Sequence, residues 1–290
     1  MKEKLYITDT YYTLVKACLS INNNNIEGLF YIDTASSENI ISCDYKKYFS
    51  KTENTEKSFD SVNSQTSLVV QKVRLSITID DRKTEENFNI MDLGNLGFGT
   101  YSLPIFGILG INYLVNNKII LDYEKMELYN EDILCDTSKF KQKCPFRYGI
   151  NNYGIAAIGI MNRKEDDVLV TLLDTGCNHN IICKKALEEF SFKVNYTDDK
   201  LYIHDINSTT LMQQAGIEFY LLIFKDNNMA PLHFSDRFYV NDTRDYLCRK
   251  EGCKQAEAII GANFIINNKC ILDFRTGDMF SSLWENDFQN

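Results

Sequence analysis

Short apolar runs separated by polar turns are the dominant pattern of this chain. Residues 14–21 form one such run, and the four asparagines at 22–25 that end it are a turn signal. Residues 28–32 are a second, continuously apolar run, and the same pattern returns at 155–161 and 168–173. Many short strands with turns between them predict an all-β protein with low helix content.

The pattern is also repeated along the chain. Residues 108–123 read ILGINYLVNNKIILDY and residues 259–274 read IIGANFIINNKCILDF, with nine of sixteen positions identical at an offset of 151. A second pair is 28–41, GLFYIDTASSENII, and 169–182, LVTLLDTGCNHNII, at an offset of 141. Because the pairs keep their order and loop insertions absorb the change in offset, the chain is predicted to be a tandem duplication.

The duplication predicts where the chain divides. A weaker third pair, 62–66 and 206–210, keeps the same order in both halves. Polar and turn-forming residues at 136–152 interrupt the apolar pattern between the halves. We therefore expect a first lobe at 1–135, a linker at 136–152 and a second lobe at 153–290.

Each half fits one template of secondary structure. A hairpin at the third repeated pair is followed by alternating strands, predicted at 69–79 and 217–224. A short helix is predicted to begin after Gly110 in the first half and after Gly261 in the second. Each helix should end at the following pair of asparagines, and a last strand should follow it.

Composition and charge narrow the classes of function. The chain has 290 residues, of which 44% are hydrophobic, so it can bury the cores of two domains and is not disordered. Its net charge of -9 argues against nucleic acid as a partner, because phosphate binding needs a basic face. No apolar run is long enough for a transmembrane helix, and the N-terminus lacks the apolar core of a secretory signal. We expect a cytoplasmic protein if the N-terminus is native, and an exported one if a leader was removed.

The cysteines and histidines do not indicate a metal site. The nine cysteines are an odd number, which does not suggest a complete disulfide framework. Cys135 with Cys144, or Cys248 with Cys253, could close a short loop in an oxidising compartment, and reduced, partly buried thiols explain them equally well. No group of Cys and His has zinc spacing. We expect neither a metal nor another cofactor.

Two short motifs, each present twice, resemble those of a known family. The tripeptides Asp-Thr-Ala at 33–35 and Asp-Thr-Gly at 174–176 resemble the Asp-Thr/Ser-Gly signatures of aspartic peptidases. Ile-Leu-Gly at 108–110 and Ile-Ile-Gly at 259–261 resemble the second signature of that family, which packs behind the catalytic loop. The resemblance covers most of the chain, and the short halves look more like fused retropepsin subunits than like the longer lobes of pepsin.

The resemblance implies a fold and a site. The fold is two-lobed with pseudo-two-fold symmetry, and each lobe is a small closed, barrel-like β unit with one short helix. Asp33 and Asp174 are the expected catalytic residues, meeting at the symmetry axis. Gly110 and Gly261 are the expected structural glycines behind the two catalytic loops.

The expected supporting residues of the catalytic loops are Thr34, Ala35, Ser36, Thr175, Gly176 and Cys177. By resemblance, the two threonines hydrogen-bond across the axis and lock the loops together. Ala35 departs from the commoner glycine, so its turn must avoid a conformation open only to glycine. Ser36 can donate a hydrogen bond to Asp33, whereas Cys177 is a weak donor for Asp174, so we expect the two carboxylates to be inequivalent.

The chemistry explains why two aspartates are required. Two carboxylates about 3 Å apart cannot both ionise cheaply, so they share one proton. One then acts as general base on a water molecule, while the protonated one polarises the scissile carbonyl. Their titration belongs to the pair and not to either residue.

The repeated hairpins resemble the flaps that close over a bound peptide in this family. The residues expected to contact substrate there are Val62, Asn63, Ser64, Ile206, Asn207 and Ser208. Closure would exclude water and add strand-like hydrogen bonds to an extended peptide or protein substrate in the cleft between the lobes.

The sequence therefore predicts an aspartic endopeptidase that is active as a monomer, because one chain carries both aspartates. An inactive, protease-like module that binds peptides is the main alternative, and an adaptor protein is a third. Both aspartates and both threonines are present, which favours the enzyme.

Overall fold

A computed structural model gives the fold of the chain. It describes residues 1–21, 24–49, 52–60, 65–94, 101–130, 135–148, 156–162, 168–204, 209–226, 228–243 and 256–284. The described chain consists mostly of short β-strands arranged in two lobes, as the sequence predicts.

Within the described ranges, ten strands precede the predicted linker and thirteen lie within or after it. The first set is β1 (Lys2–Ile7), β2 (Thr13–Ile21), β3 (Asn24–Asp33), β4 (Asn39–Ser42), β5 (Glu53–Asp60), β6 (Gln65–Ile79), β7 (Arg82–Met91), β8 (Ile105–Gly110), β9 (Ile120–Asp122) and β10 (Glu127–Tyr129). The second set is β11 (Gln142–Pro145), β12 (Arg147–Tyr148), β13 (Ala156–Met161), β14 (Leu169–Asp174), β15 (Asn180–Cys183), β16 (Val194–His204), β17 (Thr209–Leu221), β18 (Phe224–Lys225), β19 (Asn228–Met229), β20 (Leu232–Asn241), β21 (Ala258–Gly261), β22 (Cys270–Asp273) and β23 (Asp278–Ser281).

The two lobes are closed six-stranded barrels with the same order of strands. The first runs β2-β3-β8-β4-β7-β6 and closes through pairing of β6 with β2. The second runs β13-β14-β21-β15-β20-β17 and closes through pairing of β17 with β13. The strand that ends at each aspartate of the repeated motif, Asp33 or Asp174, lies parallel to the strand that ends at a repeated glycine. The duplication seen in the sequence is thus also a duplication of topology.

The alternation of side chains along β2 shows how the sequence builds a barrel wall. Val15, Ala17 and Leu19 are buried, whereas Lys16 and Ser20 between them are partly exposed. Successive side chains of a strand point to opposite faces, so this alternation directs one face into the core. The apolar run predicted to be a strand at 14–21 is confirmed.

A sheet that continues from the first barrel through the pairing of β1 with β2 joins the two lobes. It contains β1, β10 and β9 from the first part of the chain, followed by β22, β23 and β11. Its centre is the antiparallel pair β9 and β22, where Leu121 lies opposite Leu272 and both are fully buried. Strand β11 lies inside the predicted linker, and the division of the chain at 136–152 stays a prediction.

One predicted strand has different bounds in the structure. The sequence predicts a strand at 217–224, but β17 ends at Leu221 and β18 begins at Phe224. The N–H of Leu222 still donates to the carbonyl of Gly159 in β13, and the chain then leaves the barrel, because β18 pairs with β11 of the inter-lobe sheet. This pairing is tertiary, so the local pattern could not reveal it.

The helices after the two repeated glycines are confirmed. Helix α1 spans Ile111–Asn116 and helix α3 spans Ala262–Asn267. Each lobe also has a second short helical segment that the sequence did not predict: a 3₁₀ helix at Cys43–Tyr48 and the helix α2 at Lys184–Glu189. The hydroxyl of Ser42 caps the first of these by accepting from the N–H of Asp44. None of the helices in the described ranges is long and apolar enough to cross a membrane.

The thiols of the central segment are free. Cys135 and Cys144 are both buried and unpaired with each other in the structure. The interpretation of these two as reduced, buried thiols is therefore the one that the structure supports. Cys248 and Cys253 lie outside the described residues.

The inter-lobe sheet gives a first testable prediction. Leu272→Ala should lower the free energy of unfolding by roughly 2–5 kcal/mol, because it leaves a cavity opposite Leu121 in a fully buried pair. Chemical denaturation measures the change. Leu211→Ala, at a leucine that is 44% exposed on β17, is the matched control and should change stability by less than about 0.5 kcal/mol. Equal changes in the free energy of unfolding for the two variants would show that the stability of the protein does not depend on the buried pair of Leu121 and Leu272.

Candidate active site

The fold brings Asp33 and Asp174 together from the two lobes. Asp33 is the last residue of β3 and Asp174 the last of β14, so each stands at the end of a buried barrel strand. Their carboxyl groups lie close enough to form a hydrogen bond when one of them is protonated. The two residues that the motifs single out therefore form one site at the junction of the lobes.

The repeated glycines pack directly behind the two catalytic turns. Gly110 lies beside Asp33 in parallel register, and Gly261 lies beside Asp174 in the same way. A Cβ atom at Gly110 would lie 2.6 Å from the carbonyl oxygen of Ser36, and one at Gly261 would lie 2.4 Å from that of His179. No larger residue fits at either position unless the catalytic turn moves, which explains why glycine recurs in both copies.

Backbone N–H groups hold the Asp33 carboxylate. Its Oδ1 accepts from the N–H of Ala35 at 2.8 Å and from that of Ser36 at 3.0 Å. The hydroxyl of Ser36 donates to the carbonyl of Glu38 at 2.8 Å. The expected donation from this hydroxyl to Asp33 is therefore wrong, because the nearby carbonyl takes its single proton.

The Asp174 carboxylate is held in the same way. Its Oδ1 accepts from the N–H of Gly176 at 2.8 Å and from that of Cys177 at 3.1 Å. The thiol of Cys177 turns to the carbonyl of His179, 3.1 Å away, which mirrors the behaviour of Ser36. The side chains of Ser36 and Cys177 thus do not distinguish the two aspartates by direct hydrogen bonds.

The two turns differ instead in how closely they pack on the opposite carboxyl group. The Cβ that Gly176 lacks would lie 2.5 Å from Cγ of Asp33. Glycine at position 176 therefore lets the two carboxyl groups approach each other. The first turn carries Ala35 at the corresponding position, so the surroundings of the two aspartates are unequal.

Two threonines lock the turns across the interface. The N–H of Thr34 donates to Oγ1 of Thr175 at 3.1 Å, and the N–H of Thr175 donates to Oγ1 of Thr34 at 3.0 Å. Each hydroxyl then donates to a carbonyl of the opposite lobe, Thr34 to Leu173 at 2.5 Å and Thr175 to Ile32 at 2.8 Å. Both threonines are fully buried, so the four hydrogen bonds are protected from water and fix the distance between the lobes.

Burial raises the pKa of both catalytic carboxyl groups. Asp174 is 7% exposed, and the negative charge of Asp33 raises the pKa of Asp174 further. Removal from water raises the pKa of Asp33 as well, against the opposing effect of its two backbone donors. Both effects favour a pair that keeps one proton at a pH where an ordinary aspartate has lost it.

The structure adds Tyr12, which the sequence analysis missed. The hydroxyl of Tyr12 hydrogen-bonds to the side chain of Asn178, next to the catalytic turn of the other lobe. Its ring meets that of Tyr31 edge-on, with 5.2 Å between centroids. A turn sets its position, because the N–H of Tyr12 donates to Oγ1 of Thr8 at 2.9 Å. The polar triplet Thr-Asp-Thr ahead of the first barrel strand is the signal that could have indicated this turn.

An apolar cluster lies on the first-lobe side of the site. It is distinct from the main core and includes Tyr31, Ile40 and Ile108, with Tyr12 and Tyr101 packed against it. Tyr31 lies two residues before Asp33 on β3. The wall of the first lobe beside the dyad is thus aromatic and aliphatic.

The predicted flap residues Val62, Asn63, Ser64, Ile206, Asn207 and Ser208 lie outside the described residues. The strands on either side of them are described. Asp60 pairs with Gln65 in the first hairpin, and His204 pairs with Thr209 in the second. The hairpin arms therefore exist in both lobes, and the role of their tips stays a prediction.

Among the described residues, no three His, Cys, Asp or Glu side chains come close enough together to hold a metal ion. The chemistry available at the site is that of two carboxyl groups, backbone donors and a tyrosine hydroxyl.

Comparisons with known proteins support the fold. No protein-family model and no curated protein matches the sequence. The structure of an aspartic proteinase from Irpex lacteus is similar, with a TM-score of 0.54, 11% identity and coverage of 100% of this chain and 99% of that one. Basic 7S globulin from soybean is also similar, with a TM-score of 0.53, 10% identity and coverage of 100% and 98%.

A third similar structure is conglutin gamma, a basic 7S globulin from lupine seeds, with a TM-score of 0.54, 9% identity and coverage of 97% and 94%. At this level of identity the likeness shows a shared fold, the pepsin-like one, along the whole chain. Because one neighbour is named a proteinase and two are named globulins, the comparison alone does not assign an activity.

The threonine lock gives a second prediction. Thr175→Val keeps the shape of the side chain but removes the partner of two buried backbone groups, the N–H of Thr34 and the carbonyl of Ile32. The free energy of unfolding should fall by roughly 2–5 kcal/mol. Thr175→Ser retains the hydroxyl and should stay within about 1 kcal/mol of the natural protein. A loss of equal size in both variants would mean that the hydroxyl does not contribute through these bonds.

The raised pKa values give a third prediction. A carboxyl group whose pKa is higher in the folded state destabilises that state once the pH exceeds its unfolded pKa. Asp174→Asn removes this penalty, so the variant should be more stable than the natural protein at pH 7, and the difference should shrink as the pH falls to about 3. Thermal unfolding across this range measures it. Asp242→Asn, at an exposed aspartate, is the control and should show no such trend. A variant that is less stable at pH 7 than at pH 3, relative to the natural protein, would contradict the assignment.

Proposed function

We propose that this chain is an aspartic endopeptidase that hydrolyses peptide bonds through a water molecule activated by Asp33 and Asp174. The observation that carries the proposal is the close approach of two carboxyl groups, one from each lobe, of which Asp174 is buried and Asp33 is half-buried. Each group is oriented by two backbone N–H donors, so the pair is preorganised. The compact lobes favour the fused-retropepsin variety of this fold.

The proposed mechanism uses the single proton of the pair. The ionised carboxylate takes a proton from water, and the oxygen of that water attacks the peptide carbonyl carbon. The protonated carboxyl group donates to the carbonyl oxygen, which becomes the hydroxyl of a neutral tetrahedral intermediate. Collapse of the intermediate breaks the C–N bond: the carboxyl group that took the proton of water gives it to the leaving nitrogen, and the other carboxylate takes a proton back from a hydroxyl of the intermediate. Both carboxyl groups then regain their starting states with one proton between them.

The substrate is proposed to be a peptide in extended conformation. Each lobe carries a long hairpin, β5–β6 in the first and β16–β17 in the second. An extended peptide could add strand-like hydrogen bonds to such hairpins. The apolar wall around Tyr31 and Ile108 favours an apolar or aromatic side chain next to the scissile bond.

One chain supplies the complete site. Asp33 and Asp174 belong to the same polypeptide, and the threonine lock joins its own two lobes. The proposal therefore requires no second copy for activity, and the active form is a monomer.

A peptide-binding module without activity is the second candidate. The likeness to basic 7S globulins is the observation that favours it, since a protein with this fold need not be named an enzyme. Against it stand the two aspartates with their donors and the intact threonine pair, because a binding module has no need of a shared proton.

The fourth prediction tests the activity itself. The natural protein should cleave members of a broad peptide library, and Asp33→Asn and Asp174→Asn should each lower the rate by at least about 100-fold. The rate should fall both at low pH, where the pair gains a second proton, and at high pH, where it loses its last one. Because the pKa values of the two aspartates are raised, the pH above which the rate falls should lie above the usual pKa range of aspartate.

Mass spectrometry of the products measures cleavage, and a transition-state-mimicking inhibitor of aspartic peptidases should block it. Asp242→Asn is the control for a loss of carboxylate charge elsewhere and should keep the natural rate. Cleavage that persists in Asp174→Asn would exclude the dyad as its source. A natural protein that binds library peptides and cleaves none between pH 3 and pH 8 would favour the binding module.

A further inference from the structure

Each half of the chain repeats an asparagine that has no role in the reaction described above. Asn39 and Asn180 begin the two copies of Asn-Ile-Ile, six residues after Asp33 and Asp174. They are the first residues of β4 and β15, and their exposed fractions are 3% and 0%. A buried carboxamide needs partners for both its oxygen and its NH₂ group, so the partners show what each asparagine does.

The carboxamide oxygen of each asparagine holds a repeated glycine. Oδ1 of Asn39 accepts from the N–H of Gly110 at 3.0 Å, and Oδ1 of Asn180 accepts from the N–H of Gly261 at 2.9 Å. These two glycines are the ones that pack behind the catalytic turns. Both hydrogen bonds are buried, so water does not compete for them.

In the second lobe, further hydrogen bonds connect this contact to the catalytic carboxylate. The N–H of Ala262, the residue after Gly261, donates to the carbonyl of Cys177 at 2.7 Å. The N–H of Cys177 in turn donates to Oδ1 of Asp174 at 3.1 Å. Asn180 therefore fixes the glycine, the glycine fixes the next N–H group, and that group holds the turn that orients Asp174.

The first lobe contains the same series of contacts. The N–H of Ile111, the residue after Gly110, donates to the carbonyl of Ser36 at 2.9 Å. The N–H of Ser36 donates to Oδ1 of Asp33 at 3.0 Å. Asn39 thus stands to Asp33 as its counterpart in the second lobe stands to the other aspartate.

The NH₂ groups fix which way the two carboxamides face. Nδ2 of Asn180 donates to Oδ2 of Asp236 at 3.0 Å and to the carbonyl of Arg237 at 3.2 Å. Nδ2 of Asn39 donates to the carbonyl of Asn87 at 3.4 Å. Carbonyl and carboxylate oxygens only accept, so the NH₂ group must face them and the carboxamide oxygen must face the glycine.

We propose that Asn39 and Asn180 are positioning residues of the proposed peptidase, each of which keeps one aspartate in place for the shared proton by holding the glycine behind its turn. Neither side chain touches the substrate, because both are buried behind the turns. Their effect on the rate of cleavage rests on the proposed function, whereas their effect on the geometry of the turns does not.

Hydrogen exchange followed by NMR tests the effect on the turns. It reports the four N–H groups that hold the two aspartates, those of Ala35, Ser36, Gly176 and Cys177. Asn180→Leu keeps the size of the side chain and removes its carboxamide. The two N–H groups of the second turn should then exchange about tenfold faster, while those of the first turn stay within about twofold of their natural rates. Asn39→Leu should give the opposite pattern.

Kinetics test the effect on the reaction. For a peptide that the natural protein cleaves, each leucine variant should lower kcat by about tenfold or more, because a displaced carboxylate is poorly aligned with water and substrate. KM should stay within about twofold of the natural value, since neither asparagine contacts the peptide.

Asn117→Leu is the matched control. Asn117 is also buried, and its Nδ2 donates to the carboxylate of Glu86 and to the carbonyl of Tyr113, both at 3.0 Å. It lies at the C-terminal end of α1 and not behind a turn. This variant should lose as much stability as Asn180→Leu, while the folded protein keeps the natural kcat and the natural exchange rates of all four groups.

The outcomes separate this role from the peptidase activity. Exchange that rises equally in both turns or in neither, a natural kcat in both leucine variants, or an equal loss of kcat in Asn117→Leu would overturn the positioning role and leave the peptidase proposal intact. Turn-specific exchange in a protein whose natural form cleaves nothing would support the role of the asparagines in holding the turns and overturn the peptidase. Asn180→Ala, which leaves room for water in place of the carboxamide, gives the same test if the leucine variant fails to fold.

Discussion

Two carboxyl groups that are removed from water and placed in contact cannot both carry a charge, and the rest of this structure holds them in that position. Backbone N–H groups orient one oxygen of each aspartate, so neither group can turn away. The threonine lock fixes the separation of the lobes with four buried hydrogen bonds. Gly176 leaves the space that the Asp33 carboxyl group occupies. The shared proton follows from these constraints and supplies the acid and base of the proposed reaction.

Duplication explains how a chain of this size builds such a site. Each barrel places one aspartate at the end of a strand, and the glycine of the parallel neighbour packs behind it. The sheet centred on β9 and β22 then joins the two copies, because each copy contributes edge strands that the other can pair with. The two copies have since diverged next to the dyad, where one turn carries an alanine and the other a glycine.

Much of the fold and of the candidate site follows from local sequence. Repeated motifs predict both aspartates, both glycines and the helices α1 and α3, because turn chemistry and apolar runs are local properties. The direction of the Ser36 hydroxyl depends on the conformation of its own turn, which places the carbonyl of Glu38 within reach. The end of β17 could not be predicted, since it depends on partner strands that the fold brings near. The role of Tyr12 could not be predicted for the same reason, because its partner Asn178 is in the other lobe.

The state of the dyad is open to direct measurement. Aspartate labelled with ¹³C at Cγ reports each carboxyl group during a pH titration followed by NMR, and Asp33→Asn and Asp174→Asn assign the two signals. The structure predicts two coupled steps, the second of which finishes above the usual aspartate range of about 4 and is altered when either partner is replaced. Two independent titrations within the ordinary range, each unaffected by loss of the other aspartate, would contradict a shared proton and the hydrolase that depends on it.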